Sequence, residues 1–148
     1  QRQMCIRDRG SGLNEFTTDG CSGGLSDGWR FLAGRMPGFA ENFGDMPPYE
    51  ACCIEHDRAY WRGETTLGFD TRLAADLDLQ ACVTDYGKTH SHEFAQRFGL
   101  PEAVIEQNFA LTAALMFRAV RVGGVPCSGL PWRWGYGWPN CTDTGHAD

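Results

Sequence analysis

One stretch constrains this chain more than any other: Cys52-Cys53-Ile54-Glu55-His56-Asp57-Arg58-Ala59-Tyr60. Pro47 and Pro48 precede it, and proline is favoured in the first turn of a helix. Gly63 follows it, where a helix stops. A helix is therefore expected from Pro48 to about Arg62. At about 100° per residue, with His56 at zero, Tyr60, Cys53, Cys52 and Tyr49 all fall within about 60° of it. Glu55, Arg58 and Arg62 take the opposite side. His56 thus points into the buried face, with Asp57 at its edge. A buried histidine needs a hydrogen-bond partner, and a carboxylate at a buried edge needs a cation or donors.

A satisfied core histidine beside a surface aspartate is the ordinary account of a lone His on an apolar face. Here a cysteine pair, an adjacent carboxylate and a tyrosine one turn on coincide with it. The pattern resembles the helix of the secreted phospholipase A2 family, whose signature is Cys-Cys-x-x-His-Asp-x-x-Tyr. Cys52, Cys53, His56, Asp57 and Tyr60 match its fixed positions. Ala59 departs, because many members carry a further cysteine there.

Residues Gln1 to Arg9 read as translated adapter sequence, and the native chain is expected to begin at or before Gly10, its true start missing and no signal peptide visible. The remaining 139 residues suffice for one domain with a core. Setting them aside reduces seven cysteines to six: Cys21, Cys52, Cys53, Cys82, Cys127 and Cys141. An even, widely spaced set suggests disulfides and an oxidising compartment, so a secreted or periplasmic location is expected. Without Arg2, Arg7, Asp8 and Arg9 the net charge moves from −6 to −8. That balance argues against nucleic acid and against electrostatic docking on anionic lipid. No apolar run is long enough to span a membrane.

Gly10 to Gly28 reads as loop. Within it, Asp19-Gly20-Cys21-Ser22-Gly23-Gly24 is glycine-rich, and such a backbone can turn carbonyls towards one hard cation. The resemblance sharpens this reading. The family has a calcium loop before its histidine helix, with carbonyls one before, one after and three after a cysteine as ligands. The matching positions are Gly20, Ser22 and Gly24, with Asp57 as the carboxylate ligand. Thirty residues, Ser22 to Ala51, then separate Cys21 from Cys52, more than in most of the family. Trp29, Phe31, Leu32, Met36, Phe39 and Phe43 in that insert are expected to pack, in a short helix or as the wall of a substrate channel.

A second helix is expected from Phe69 to Tyr86, ended by Gly87, with Phe69, Leu73, Leu79 and Val83 as its apolar stripe. Asp76 lies inside that stripe and Asp78 faces solvent. A carboxylate among apolar residues is costly unless paired. The resemblance gives Asp76 a task, since the family orients its histidine with an Asp six residues before a cysteine, the spacing of Asp76 and Cys82. His90 and His92 read as solvated surface after Gly87. A third helix is expected from Pro101 to about Val122, with Val104, Ile105, Phe109, Leu111, Leu115, Met116, Phe117 and Val120 packing on the other two. In the tail, Trp132, Trp134, Tyr136 and Trp138 within seven residues read equally as an interfacial patch or as cover for a small core.

The expectation is an all-α, disulfide-linked, phospholipase A2-like fold with two antiparallel catalytic helices, a calcium loop and a further C-terminal helix. The long insert and helix-rich tail are closer to divergent group XII-like and bacterial members than to pancreatic or venom enzymes. The implied activity is Ca2+-dependent hydrolysis of the sn-2 ester of glycerophospholipids at a membrane or micelle interface, by a monomer. His56 would be the general base for water, Asp76 its orienting partner, and Tyr60 a donor to Asp76. A backbone N–H near Ser22 would share the oxyanion. The alternative is an inactive, calcium- and membrane-binding module, and Asp57 counts against it. The family implies Cys21–Cys53 and Cys52–Cys82; Cys127 and Cys141 remain to close the tail.

Overall fold

The computed structural model describes residues 12–63 and 68–141. The expectation for Gln1 to Arg9 lies outside them. Among the described residues there are five α-helices and no strand: α1 (Ser26–Arg35), α2 (Phe39–Phe43), α3 (Glu50–Arg62), α4 (Phe69–Phe98) and α5 (Glu102–Gly123). A short 3₁₀ turn, Gly23–Leu25, leads into α1. Three disulfides staple these elements: Cys21–Cys53, Cys52–Cys82 and Cys127–Cys141, the pairs expected from the sequence. The protein is thus an all-α, disulfide-rich fold. None of its described helices is long and apolar enough to cross a membrane.

Helix α3 ends as its sequence dictates. Gly63 adopts φ +48° and returns its N–H to Ala59 O at 3.1 Å. Helix α4 differs from expectation. It runs through Gly87 for 30 residues and stops only at Gly99, at φ +71°. Gly87 is a packing residue rather than a stop. A Cβ there would run into the Cβ and ring of Phe109 on α5. The two long helices therefore touch almost backbone to backbone, and that contact outweighs the roughly 1 kcal/mol by which mid-helix glycine disfavours a helix. His90 and His92 consequently sit on α4 and not in a loop. His90 stacks on Tyr86 at 3.9 Å, and His92 faces Glu102 at 3.1 Å.

The buried stripe of α4 is Arg72, Ala75, Asp76, Leu79, Val83, Gly87, Ser91 and Phe94. Phe69, expected inside it, is 68% exposed. The buried face of α5 is also narrower than expected. Ile105, Phe109 and Met116 are buried with Thr112 and Ala113, whereas Val104, Leu111 and Leu115 are exposed. The insert before α3 supplies core: Leu32, Met36 and Phe39 are fully buried. The Phe39 ring meets Phe98 at 4.3 Å and Phe94 at 5.2 Å between centroids.

The tail folds back over the end of α3. Gly135 N donates to Tyr60 O at 2.6 Å and Gly137 N to Trp61 O at 3.2 Å. Trp134 is buried edge-on to Tyr60, with centroids 5.1 Å apart, and Trp138 Nε1 donates to Arg62 O. Two of the three tail tryptophans are thus anchors; Trp132 alone of the three is largely exposed. Replacing Gly87 tests the helix contact. Gly87→Ala gains intrinsic helix propensity yet must push α4 from α5, so it should lower stability by about 1–3 kcal/mol, the usual range for overpacking. An unchanged or raised melting temperature would show that the two helices separate freely.

Candidate active site

Helices α3 and α4 place His56, Tyr60 and Asp76 around one buried point. Asp76 has no exposed surface, and His56 and Tyr60 are 5% and 3% exposed. His56 Nε2 lies 2.8 Å from Asp76 Oδ1, and Tyr60 OH donates to the same oxygen at 2.7 Å. Burial and the Asp76 charge push the Tyr60 hydroxyl well above its ordinary range, so it keeps its proton and remains a donor. With Nε2 donating to Asp76, His56 Nδ1 carries the ring's lone pair. That nitrogen is buried and has no hydrogen-bond partner in the protein.

The other oxygen of Asp76 is held by residues that the helical wheel did not reveal. Arg121 Nη1, from the end of α5, donates to Oδ2 at 2.8 Å. Arg72 Nη1, one turn earlier on α4, is 3.8 Å from it. Arg72 also donates to Tyr60 OH at 3.3 Å and to Val120 O at 3.2 Å. Each arginine reads locally as an ordinary helix-surface cation. An aspartate inside an apolar stripe was the only signal that cations must come to it.

Above His56 lies a pocket that brings together Ser22, Gly24, Asp57, His56 and Tyr60 with Asp19. Val120, Gly124, Leu25 and Trp132 form its less polar side. Gly20 is not in the lining. It lies buried over the Glu50 carboxylate, which takes the Cys21 N–H at 3.3 Å. Asp57 accepts the Thr18 hydroxyl at 2.5 Å, and Thr18 Oγ1 accepts Gly20 N–H at 2.9 Å. Thr18 therefore ties the glycine loop to the carboxylate, a link with no sequence signature. The Ser22 N–H, expected to face an oxyanion, is donated to Asp19 O at 3.2 Å, closing the loop's own turn. Leu25 N–H uses one lone pair of Ser22 O at 3.4 Å, leaving a second.

Burial pushes the Asp57 carboxyl up to about 6, and the nearby Asp19 charge adds to the rise; Thr18 opposes it. Among the described residues no group of three or more His, Cys, Asp or Glu could hold a metal ion. A cation here would need backbone oxygens beside Asp57, and Ser22 and Gly24 lie in the same lining to offer them. The donor set is all oxygen and partly anionic, which suits calcium rather than a soft metal. No protein-family model matches the chain, and neither the curated proteins nor the solved structures include a match.

The raised Asp57 carboxyl makes a stability prediction. Its folded pKa of about 6 lies above the ordinary 3.8 of a free carboxyl, so it favours folding fully below pH 3.8 and loses that contribution as pH rises through 6. In chelator, Asp57→Asn should melt at a higher temperature than the natural protein at pH 7. The difference should shrink as pH is lowered towards 4. A lower melting temperature for the variant at pH 7 would mean that the charged carboxylate is fully compensated by the protein.

Proposed function

We infer that the chain is a calcium-dependent phospholipase A2-like ester hydrolase, built from a base, its orienting carboxylate and a cation loop. The observation that carries this reading is the state of His56. One ring nitrogen is fixed on a fully buried carboxylate, the other has no partner within the protein, and the residue lines a pocket together with Asp57 and the glycine loop. Most buried structural histidines pair both nitrogens. The Cys-Cys-x-x-His-Asp-x-x-Tyr pattern and its calcium loop supply the family resemblance.

The residues divide the work. His56 takes a proton from water at Nδ1, the ring nitrogen left with its lone pair, since a base must reach its proton directly. Asp76 fixes the tautomer and stabilises the imidazolium that forms, and Tyr60 holds Asp76 in place. Asp57 with the carbonyls of Ser22 and Gly24 would hold calcium, and Gly20, outside the lining, is the one expected ligand not brought to it. Bound calcium would bind the lipid phosphate and polarise the ester carbonyl. Leu25, Val120 and Trp132 give the pocket an apolar wall suited to an acyl chain. Disulfides fit a secreted or periplasmic protein.

The test uses phosphatidylcholine micelles at saturating calcium. His56→Gln should lose the most turnover, since it removes the base itself while leaving the pocket's shape. Asp76→Asn should lose one or more orders of magnitude, as general-base assistance is worth about 10²–10⁴-fold. Asp78→Asn, on the exposed side of α4, should change turnover little. Calcium should bind on the order of 0.1–1 mM, since one carboxylate supplies most of the charge. Asp57→Lys should abolish both binding and hydrolysis. Full calcium binding without hydrolysis in the natural protein would favour the inactive binding module instead.

A further inference from the structure

We propose that Arg121 is a positioning residue for the His56–Asp76 pair: it holds the outer oxygen of Asp76 so that the inner oxygen stays on His56. This deepens the reading of His56 as a base and rests on it for the kinetic outcome only.

The two carboxylate oxygens of Asp76 are divided. Oδ1 serves both His56 Nε2, at 2.8 Å, and Tyr60 OH, at 2.7 Å. Oδ2 accepts from Arg121 Nη1 at 2.8 Å. The terminal torsion of an aspartate is broad and roughly two-fold, so donors on one oxygen alone leave the carboxylate free to swing. A bond on each oxygen removes that freedom. Arg72 is a poor substitute, since its Nη1 lies 3.8 Å from Oδ2. What Arg72 does instead is hold the backbone that carries Arg121. It donates to Val120 O at 3.2 Å and to Arg121 O at 3.4 Å, both in the last turn of α5. Arg72 fixes the end of α5, Arg121 reaches from there to Asp76, and Asp76 sets the plane of His56. The Arg121 side chain is 21% exposed, so it keeps a route to water and yet turns inward.

The bland account is that Arg121 only neutralises a buried charge, which would show as stability and nothing else. Two readouts separate the accounts. The first is the ring N–H proton signal of His56 in NMR, which reports the bond to Asp76 directly. The second is the split between kcat and KM on phosphatidylcholine micelles with calcium. In Arg121→Gln, below its melting temperature, the ring N–H signal should shift or broaden. The same variant should lose kcat about ten- to a hundredfold, the order expected when a reacting group is displaced by roughly 1 Å, with KM unchanged. Arg121→Lys, which keeps a charged donor, should recover part of both. If Arg121→Gln fails to fold, Asp76→Asn/Arg121→Gln removes both charges together. Its kcat should equal that of Asp76→Asn alone, because Arg121 acts only through Asp76.

An unchanged ring signal with wild-type kcat in Arg121→Gln would overturn the proposal, as would a double variant well below Asp76→Asn. If the natural protein hydrolyses no lipid, the functional reading falls while the NMR comparison still decides the role of Arg121: a shift upholds it and an unchanged signal removes it.

Discussion

The carboxylate of Asp76 sets the terms for the rest of this structure. It has no exposed surface. A charge taken that far from water costs several kcal/mol unless its oxygens are met by good donors. The donors are His56 and Tyr60 on α3 and Arg121 at the end of α5, and Arg72, one turn away on α4, adds its charge at 3.8 Å. Each of the three longest helices therefore has a side chain committed to one point. Tyr60 is in turn covered by the edge of Trp134, and the tail that carries Trp134 hydrogen-bonds to the backbone of Tyr60 and Trp61. The tail is thus part of the support around Tyr60 and Asp76 and not merely a lid on the core.

The disulfides fix what the hydrogen bonds cannot. Cys52–Cys82 joins α3 to α4 one turn before His56 and six residues after Asp76. It sets the register of the two helices, so that a slide of one turn is blocked. Cys21–Cys53 pins the glycine loop to the same turn of α3. With separations of 32 and 30 residues, each cross-link constrains the unfolded chain by about 3–4 kcal/mol in the chain-entropy account. The adjacent cysteines thus place a loop on one side of His56 and a helix on the other.

How much of this was legible follows from the range of each interaction. Helical periodicity located His56, Tyr60 and Tyr49 on one face and Asp76 inside a buried stripe, because those facts are local. The same reasoning misplaced the end of α4, since a glycine that stops a helix and one that admits a neighbouring helix look alike in sequence. Only the ring of Phe109, 22 positions away in the chain, distinguishes them. Arg121 and Arg72 were missed for a related reason. Both sit on helices where a cation normally faces water, and Arg121 meets Asp76 across 45 residues of chain. Thr18 was missed because a threonine in a loop carries no mark of the carboxylate it will bind. The tail aromatics were ambiguous until Trp134 was seen buried and Trp132 exposed.

The two aspartates of the site differ in a way that separates scaffold from working surface. Asp76 is answered by donors on both oxygens. Asp57 is answered by the Thr18 hydroxyl and backbone, faces a second carboxylate, and is pushed towards its neutral form by burial. Folding alone gives no reason to keep a carboxylate in that position. The same holds for His56, whose Nε2 is satisfied and whose Nδ1 is not. Both residues line one pocket, beside the glycine loop. A protein selected only for stability would relieve both by substitution. Their coincidence at one pocket is what a catalytic base beside a cation site would require.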